Sequence, residues 1–343
     1  MSAEPGRSVA ARLRIVAAIA GLALIAWLVR SAGPRHVLDA IRETRSYWIA
    51  IVLLEAVYTA AETVGASIML GPARRRVPMA MWVVSTARAY ASQILLPAGR
   101  AVGEALRAAT LSRAVGGGAA AVISVRVHAR VLLGNAVMSL IAATVARGVS
   151  MGLAWSLVAN AVACATLSTV LLALTSERAP AAARRAAQRW TRAAAFVEKC
   201  ARKLGASAEP RAEARPPAAL ATGVARGLAA SVAILVGRVA QTVQYGIALY
   251  AVGGASSPVS ALLAQGIHVI GATAGDFIPG QLGANEGSFR LFAATLGFRD
   301  DPARALALPL VVRLAQLALA FACLLLGARP TTAPATEETE ETA

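Results

Sequence analysis

Six stretches of this chain stay apolar long enough to cross a lipid bilayer, and that constrains the fold more than any other feature. A hydrocarbon core about 30 Å thick takes roughly 20 helical residues, with a range of about 17–25. Apolar runs of this kind cover Ile15–Val29, Tyr47–Leu70, Gly118–Val145, Met151–Leu174, Leu228–Val252 and Arg304–Leu326. Composition agrees: 57% of the 343 residues are hydrophobic and 15% are charged, whereas soluble domains carry about 25% charged residues. The N-terminal basic residues and apolar run resemble a signal peptide. However, Arg30 and Gly33-Pro34 follow Trp27-Leu28-Val29 with no small-residue cleavage site, so the run reads as an uncleaved first span.

Two further apolar stretches end in helix breakers. Met79–Leu96 carries Arg88 and runs into Pro97-Ala98-Gly99-Arg100, and Val259–Ile278 runs into Pro279-Gly280-Gln281-Leu282-Gly283. Each break leads to a short helical piece, Gly103–Gly116 and Ala284–Gly297. Proline and glutamate have the same spacing in Pro97-AGRAVG-Glu104 and Pro279-GQLGAN-Glu286, about 180 residues apart. Arginine then follows, as Arg107 and Arg290. Irregular backbone at membrane depth is tolerated only where protein or water satisfies its polar groups. The expected fold is therefore all-α: a polytopic integral membrane protein with about six full spans and two broken-helix or re-entrant hairpins. Three spans separate the hairpins, an odd number, so the copies should be inverted, as in secondary transporters.

The formal net charge of +16 matters through its distribution. Ser176–Ala218 holds ten basic and four acidic residues, which places this loop in the cytoplasm. Counting outward, with both hairpins re-entrant, places both termini inside. If Met79–Leu96 crosses fully, the N-terminus changes side, and charge counting leaves that parity open. Within the loop, Ala186, Trp190, Ala193, Val197, Ala201 and Leu204 repeat at helical steps opposite a basic face. The pattern suits an amphipathic helix on an anionic leaflet, a partner-docking surface, or a solvated helix that fixes topology. Domain organisation follows as a cytoplasmic segment at 1–14, a membrane domain at 15–329 containing the 176–218 loop, and a disordered acidic tail at 330–343. The 32 arginines against two lysines and the heavy alanine content suit a GC-rich bacterial genome and an inner (plasma) membrane location.

Ionisable groups inside spans are costly, and each is a functional candidate. Glu55 and Glu62 lie seven residues apart on one helical face, with Tyr58 and Thr59 between them. Arg88, Arg126, Arg130, Arg238 and Arg313 also fall in apolar helices, and Gln241 and Gln244 follow Arg238. One reading gathers the arginines around a polar cavity that faces phosphate, with Glu55, Glu62 and Asp276 as coupling groups for a cation or proton. The other pairs glutamate with arginine between helices to lock the bundle. His128 and His268 read as packed or interfacial histidines.

At the breaks, Gly99 and Gly283 precede helix starts whose free N–H groups attract anions, and Arg100, Arg107 and Arg290 supply planar forks for phosphate. Glu104 and Glu286 either cap those helix starts or bind a cationic group or a proton. Pro97, Gly103, Pro279 and Gly280 shape the two turns and complete the candidate substrate-binding set. Cys164, Cys200 and Cys323 are odd in number and widely separated, which excludes a disulfide scaffold. Three histidines without Cys-x-x-Cys or His-Glu-x-x-His spacing give a zinc site no support, and no cofactor is expected. Without an Asp-x-Asp motif or a nucleophile with a positioned base, the chain reads as a non-enzyme.

The stretch LLPAGRAVGEALRAATLSRAVG followed by Arg126, and the stretch FIPGQLGANEGSFRLFAATLGF followed by Arg313, resemble the lysylphosphatidylglycerol synthase transmembrane-region family. The resemblance runs from about Tyr47 to Gly327. It implies a flippase-like membrane domain that translocates a lipid between leaflets, here without the soluble aminoacyltransferase domain of two-domain members. Two positions depart from the family pattern. Ala129 stands where an acidic residue often follows the arginine matched by Arg126, and Gln281 replaces the second glycine of P-G-G.

The leading functional expectation is a lipid flippase or transporter for a phosphate-bearing or modified polar lipid. Its partners would be membrane lipids with an anionic or modified polar head group, with a lipid-modifying enzyme as a further candidate and no nucleic acid. Two alternatives remain at this point. One is an accessory or catalytic subunit of a membrane transferase acting on lipid-linked substrates, whose candidate acids would be Glu104, Asp276 and Glu286. The other is a non-transporting scaffold in envelope assembly.

Overall fold

A computed structural model describes residues 23, 26–96, 99–175, 223–255, 257–276, 278 and 281–327. Every regular element among them is helical. The helices are α1 (Pro34–Glu43), α2 (Trp48–Leu70), α3 (Met79–Leu95), α4 (Gly99–Val115), α5 (Gly117–Ala146), α6 (Met151–Leu174), α7 (Val224–Ala251), α8 (Pro258–Ala274), α9 (Ala284–Leu291) and α10 (Pro302–Gly327). Among the described residues, five helical segments are long and apolar enough to cross a membrane: Pro34–Arg76, Gly117–Ala146, Met151–Leu174, Val224–Ala251 and Pro302–Gly327. The protein is a multi-pass membrane protein. Most of the expected first span Ile15–Val29, the amphipathic pattern at 176–218 and the acidic tail lie outside the described residues, as do Pro97, Pro279 and Gly280.

Large apolar side chains point outward along the long helices, as a lipid-facing surface requires. Ile49, Leu53, Val57 and Val64 do so on α2, and Val232, Val236, Val239 and Val243 do so on α7. The inner faces approach closely through small residues, the usual device where lipid tails are as apolar as leucine. A Cβ on Gly65 of α2 would lie 3.0 Å from the Ile234 side chain, and one on Gly237 of α7 would lie 3.0 Å from that of Ala61. Around α2 and α7 pack α3, α5 and α10.

Both broken motifs form helical hairpins. Helix α4 folds back along α3, and α9 folds back against α8. In the first hairpin the backbones touch: a Cβ on Gly99 would overlap the Gln93 carbonyl, and one on Gly103 would lie 2.5 Å from the Ala89 carbonyl oxygen. In the second, a Cβ on Gly271 would lie 2.7 Å from Asn285 Cα. The second return piece is shorter than expected. Ala284–Gly297 divides into α9 and a 3-10 turn at Ala293–Leu296, closed by Gly297 in the left-handed conformation.

The arginine-bearing loop before the second expected span is not simple loop. Pro34–Glu43 is a helix whose Val37 and Ala40 face inward, and Val37 packs with Leu28, Ala303 and Leu306.

Candidate functional site

The polar residues scattered along the sequence converge between α2, α3, α4, α7, α8, α9 and α10. At the first break, α4 begins at Gly99, which places Arg100, Glu104 and Arg107 along its first turns. All three are buried, Arg107 at 4% exposure. Arg100 Nη1 donates to Glu62 Oε1 at 3.1 Å and to Gln93 Oε1 at 3.2 Å. Tyr58 donates its hydroxyl to the same Glu62 oxygen at 2.6 Å. Across α7, the Arg238 guanidinium lies 4.9 Å from the Tyr58 ring centroid and donates to Gln241 Oε1 at 2.7 Å. A cationic group over an aromatic face is attracted by the ring quadrupole.

This first cluster leaves bonding capacity unused. Arg100 and Arg107 approach Glu104 Oε1 at 3.6 and 3.7 Å, ion pairs too long for good hydrogen bonds. Arg100 Nε and Nη2, Arg107 Nε and Nη1, Arg238 Nε and Glu104 Oε2 are buried without a hydrogen-bond partner. Three guanidiniums (Arg100, Arg107, Arg238) stand with two carboxylates (Glu62, Glu104) in the cluster, and a third carboxylate, Asp276, lies within the field of Arg100. Buried polar groups are normally satisfied, so an unmet set of this size, mostly donors, invites a ligand rich in acceptor oxygens.

The second break is closed. Glu286 is the third residue of α9; its Oε2 accepts from Gly283 N at 2.8 Å, and its Oε1 accepts from Arg313 Nε at 2.9 Å. Of the two sequence readings for Glu286, capping is the one seen. Equal proline-to-glutamate spacing hides a difference in helix start. Helix α4 is already helical two residues after its proline, whereas α9 starts five after, beyond Gln281 at φ 59° and Gly283 at φ 80°. Glutamate therefore falls in the capping position only in the second copy. Gln281, which takes the second glycine's place in the motif, is the one non-glycine among the described residues with positive φ.

A chain of amides joins the two breaks. Gln265 Nε2 donates to Gln241 Oε1 at 2.9 Å, Gln241 Nε2 lies 3.4 Å from His268 Nε2, and His268 Nδ1 lies 3.2 Å from Asn285 Oδ1. These contacts agree with one another when His268 carries its hydrogen on Nδ1, donates it to Asn285 and accepts from Gln241. Tyr245 stacks on His268 at 4.7 Å and on Phe289 at 5.7 Å. The expectation that His268 is a packed histidine describes its ring, but not its place in this polar chain. Neither Gln265 nor Asn285 stands out as a sequence candidate; their signal is the i, i+3 pairing of Gln265 with His268 and adjacency to Glu286.

Other candidates take peripheral positions. Arg88 Nε donates to the Gly327 carbonyl at the end of α10 at 2.9 Å, and Arg126 Nη2 donates to the Thr175 carbonyl beyond α6 at 2.9 Å. Cations near helix C-termini complement the free carbonyls there. Arg130 donates to Ser231 at 3.2 Å, and Arg290 is exposed. Asp276, half-buried at the end of α8, feels the field of Arg100. His128 on α5 feels both Arg100 and Glu62. Glu55 lies deeper, bonded by Tyr90 and Gln244 at 2.9 Å each. Among the described residues no group of three or more His, Cys, Asp or Glu side chains is arranged to hold a metal ion.

The family model for the lysylphosphatidylglycerol synthase TM region matches residues 10–325. The chain belongs to this family. Comparison with curated proteins finds no match, and comparison with solved structures finds none either. Membership ties this membrane protein to lipid modification or transport, and the match includes both breaks and every described member of the polar chain.

Proposed function

We propose that this family member moves a phosphate-bearing or modified polar lipid between leaflets, by binding and release and without a covalent step. The observation that carries the reading is the set of buried guanidinium N–H groups at the first break, on Arg100, Arg107 and Arg238, that have no hydrogen-bond partner. A phosphate offers several strong acceptors, and guanidinium meets them with planar, charge-assisted pairs. A head group crossing the hydrocarbon core needs a substitute for water, and a protein-lined polar path supplies one. The amide chain from Gln241 to Asn285 continues that path toward the second break. The unmet Glu104 Oε2 adds an acceptor for an ammonium or hydroxyl on the same head group. Two hairpins with repeated Pro-to-Glu spacing suit an inverted-repeat transporter in which one half rocks against the other. A bacterial inner membrane, with the basic loop and C-terminus in the cytoplasm, is the location that suits the charge distribution.

The test is movement of fluorescent phosphatidylglycerol across proteoliposome bilayers. Wild type is expected to move it. Arg107→Ala should slow it about ten- to a hundredfold, the effect of losing charged hydrogen bonds worth about 1.5–3 kcal/mol. No movement by folded wild-type protein, or equal rates for the two, would sink the reading.

A further inference from the structure

The two glutamates of α2 share one helical face and differ in company. Glu62 has a guanidinium in contact, Arg100 at 3.1 Å. Glu55 is 1% exposed, and among the described residues its hydrogen-bond partners are uncharged. Tyr90 of α3 bonds Oε1 at 2.9 Å and Gln244 of α7 bonds Oε2 at 2.9 Å, with the Gln316 amide of α10 nearby. Both Gln244 amide hydrogens are committed, since Nε2 also donates to the Ile51 carbonyl at 2.9 Å.

The charged groups of the surrounding helices are engaged elsewhere. Arg88 of α3 bonds Gly327, Arg126 and Arg130 of α5 bond Thr175 and Ser231, Arg238 of α7 bonds Gln241, and Arg313 of α10 bonds Glu286. His128 of α5 faces Arg100 and Glu62, while Cys323 of α10 lies toward Tyr90. Among the described residues Glu55 forms no ion pair, and the ionisable groups seen to act on it, Glu62, Tyr90 and Tyr245, are not cations. A bare carboxylate inside a membrane bundle is strongly disfavoured without a counter-charge. The donors around Glu55 are hydroxyl and amide hydrogens, not the ring of oxygens a metal cation requires. A proton is the ligand that fits.

We infer that Glu55 is a proton-binding site coupled to occupation of the arginine cluster by an anionic head group; this rests on the lipid-moving reading above. Loading forms one O–H bond on the Glu55 carboxylate and release breaks it, with water as the proton donor and acceptor. The Tyr90 hydroxyl donates to the carboxylate and can accept from the acid, so both states keep the same heavy-atom contact. The sign of coupling follows from charge. Glu55 and Glu62 are seven residues apart, about 10 Å along a helix. A phosphate entering beside Arg100 brings negative charge to the Glu62 end of that face. Proton and anionic head group therefore favour each other's binding, and the coupling is reciprocal. Lipid and proton move in the same direction.

The experiment follows fluorescent phosphatidylglycerol in proteoliposomes under an imposed pH gradient, with an internal dye reading proton flux. With the acid side on the labelled leaflet, wild type should move lipid faster and carry protons with it. The near-isosteric Glu55→Gln should lose both the acceleration and the proton flux. Acceleration retained in Glu55→Gln overturns the proposal. Should wild type move no lipid under any condition, the transport reading fails, and infrared spectroscopy tests the proton site separately. A titrating carbonyl band of a buried carboxylic acid, present in wild type and missing in Glu55→Gln, supports the site, and its absence from wild type overturns it. Tyr90→Phe provides a second variant. It should keep that band and shift the pH at which it titrates, and an unshifted band contradicts the hydrogen-bonded geometry.

Discussion

The two breaks carry the same proline-to-glutamate spacing and opposite chemistry. At the second, Glu286 is fully engaged by its own helix start and by Arg313. At the first, Glu104 caps nothing and stands among arginines whose donors are unmet. The difference arises from where each helix begins: α4 is already helical two residues after its proline, and α9 starts five after. The same spacing can therefore give a closed clamp at one break and unmet donors at the other. A shift of helix phase is enough.

Removing the clamp's cation should have the largest effect. Arg313→Ala leaves Glu286 buried and uncompensated, which costs about 3–5 kcal/mol; thermal unfolding in detergent measures it, and adding Glu286→Gln should recover part of the loss. Next is Arg107→Ala at the first break. Because Arg107 has no close hydrogen bond to lose, stability should stay within about 1 kcal/mol while lipid movement falls. A large loss of stability would show that this cluster is a clamp too.

Backbone contact supplies a third comparison. Gly103→Ala forces a Cβ toward the Ala89 carbonyl and should cost about 1–3 kcal/mol, as overpacking does. Gly287 has nothing within 4 Å of an added Cβ, so Gly287→Ala should be neutral or stabilise by up to about 1 kcal/mol. Equal effects at both positions would contradict the close packing of the first hairpin. A last comparison falls at Gln281, whose positive φ favours glycine. Gln281→Gly should raise stability by roughly 1 kcal/mol, read as a higher unfolding midpoint.

Much of this fold is legible in the sequence because apolar length is a local property. Met151–Leu174 matches residue for residue, and the hairpin arms are separated near both expected breaks, with α3 ending at Leu95 and α8 at Ala274, short of the expected Ile278. Helix α1 is hidden because ten residues with charges on one side resemble a loop. The site is legible only in part. Charge inside an apolar run singled out Arg88, Arg126, Arg238 and Arg313, but it cannot say which helix end or carboxylate each one meets. In the structure Arg88 and Arg126 hold helix ends, and Arg238 joins the unmet donors near the first break. Neutral amides such as Gln265 and Asn285 escape a search for charge, although they build the connection between the breaks. The role of Glu286 depends on a helix start set by backbone torsions within a glycine-rich turn.

The central claim is that the first break, and not the second, receives an anionic head group. Counting phosphatidylglycerol molecules retained on the purified protein by native mass spectrometry tests it most directly, across wild type, Arg107→Ala and Arg290→Ala. The account predicts that Arg107→Ala loses one tightly held lipid while Arg290→Ala, altered at an exposed position beside the closed break, keeps it. Retention by Arg107→Ala, or loss in Arg290→Ala alone, would contradict it.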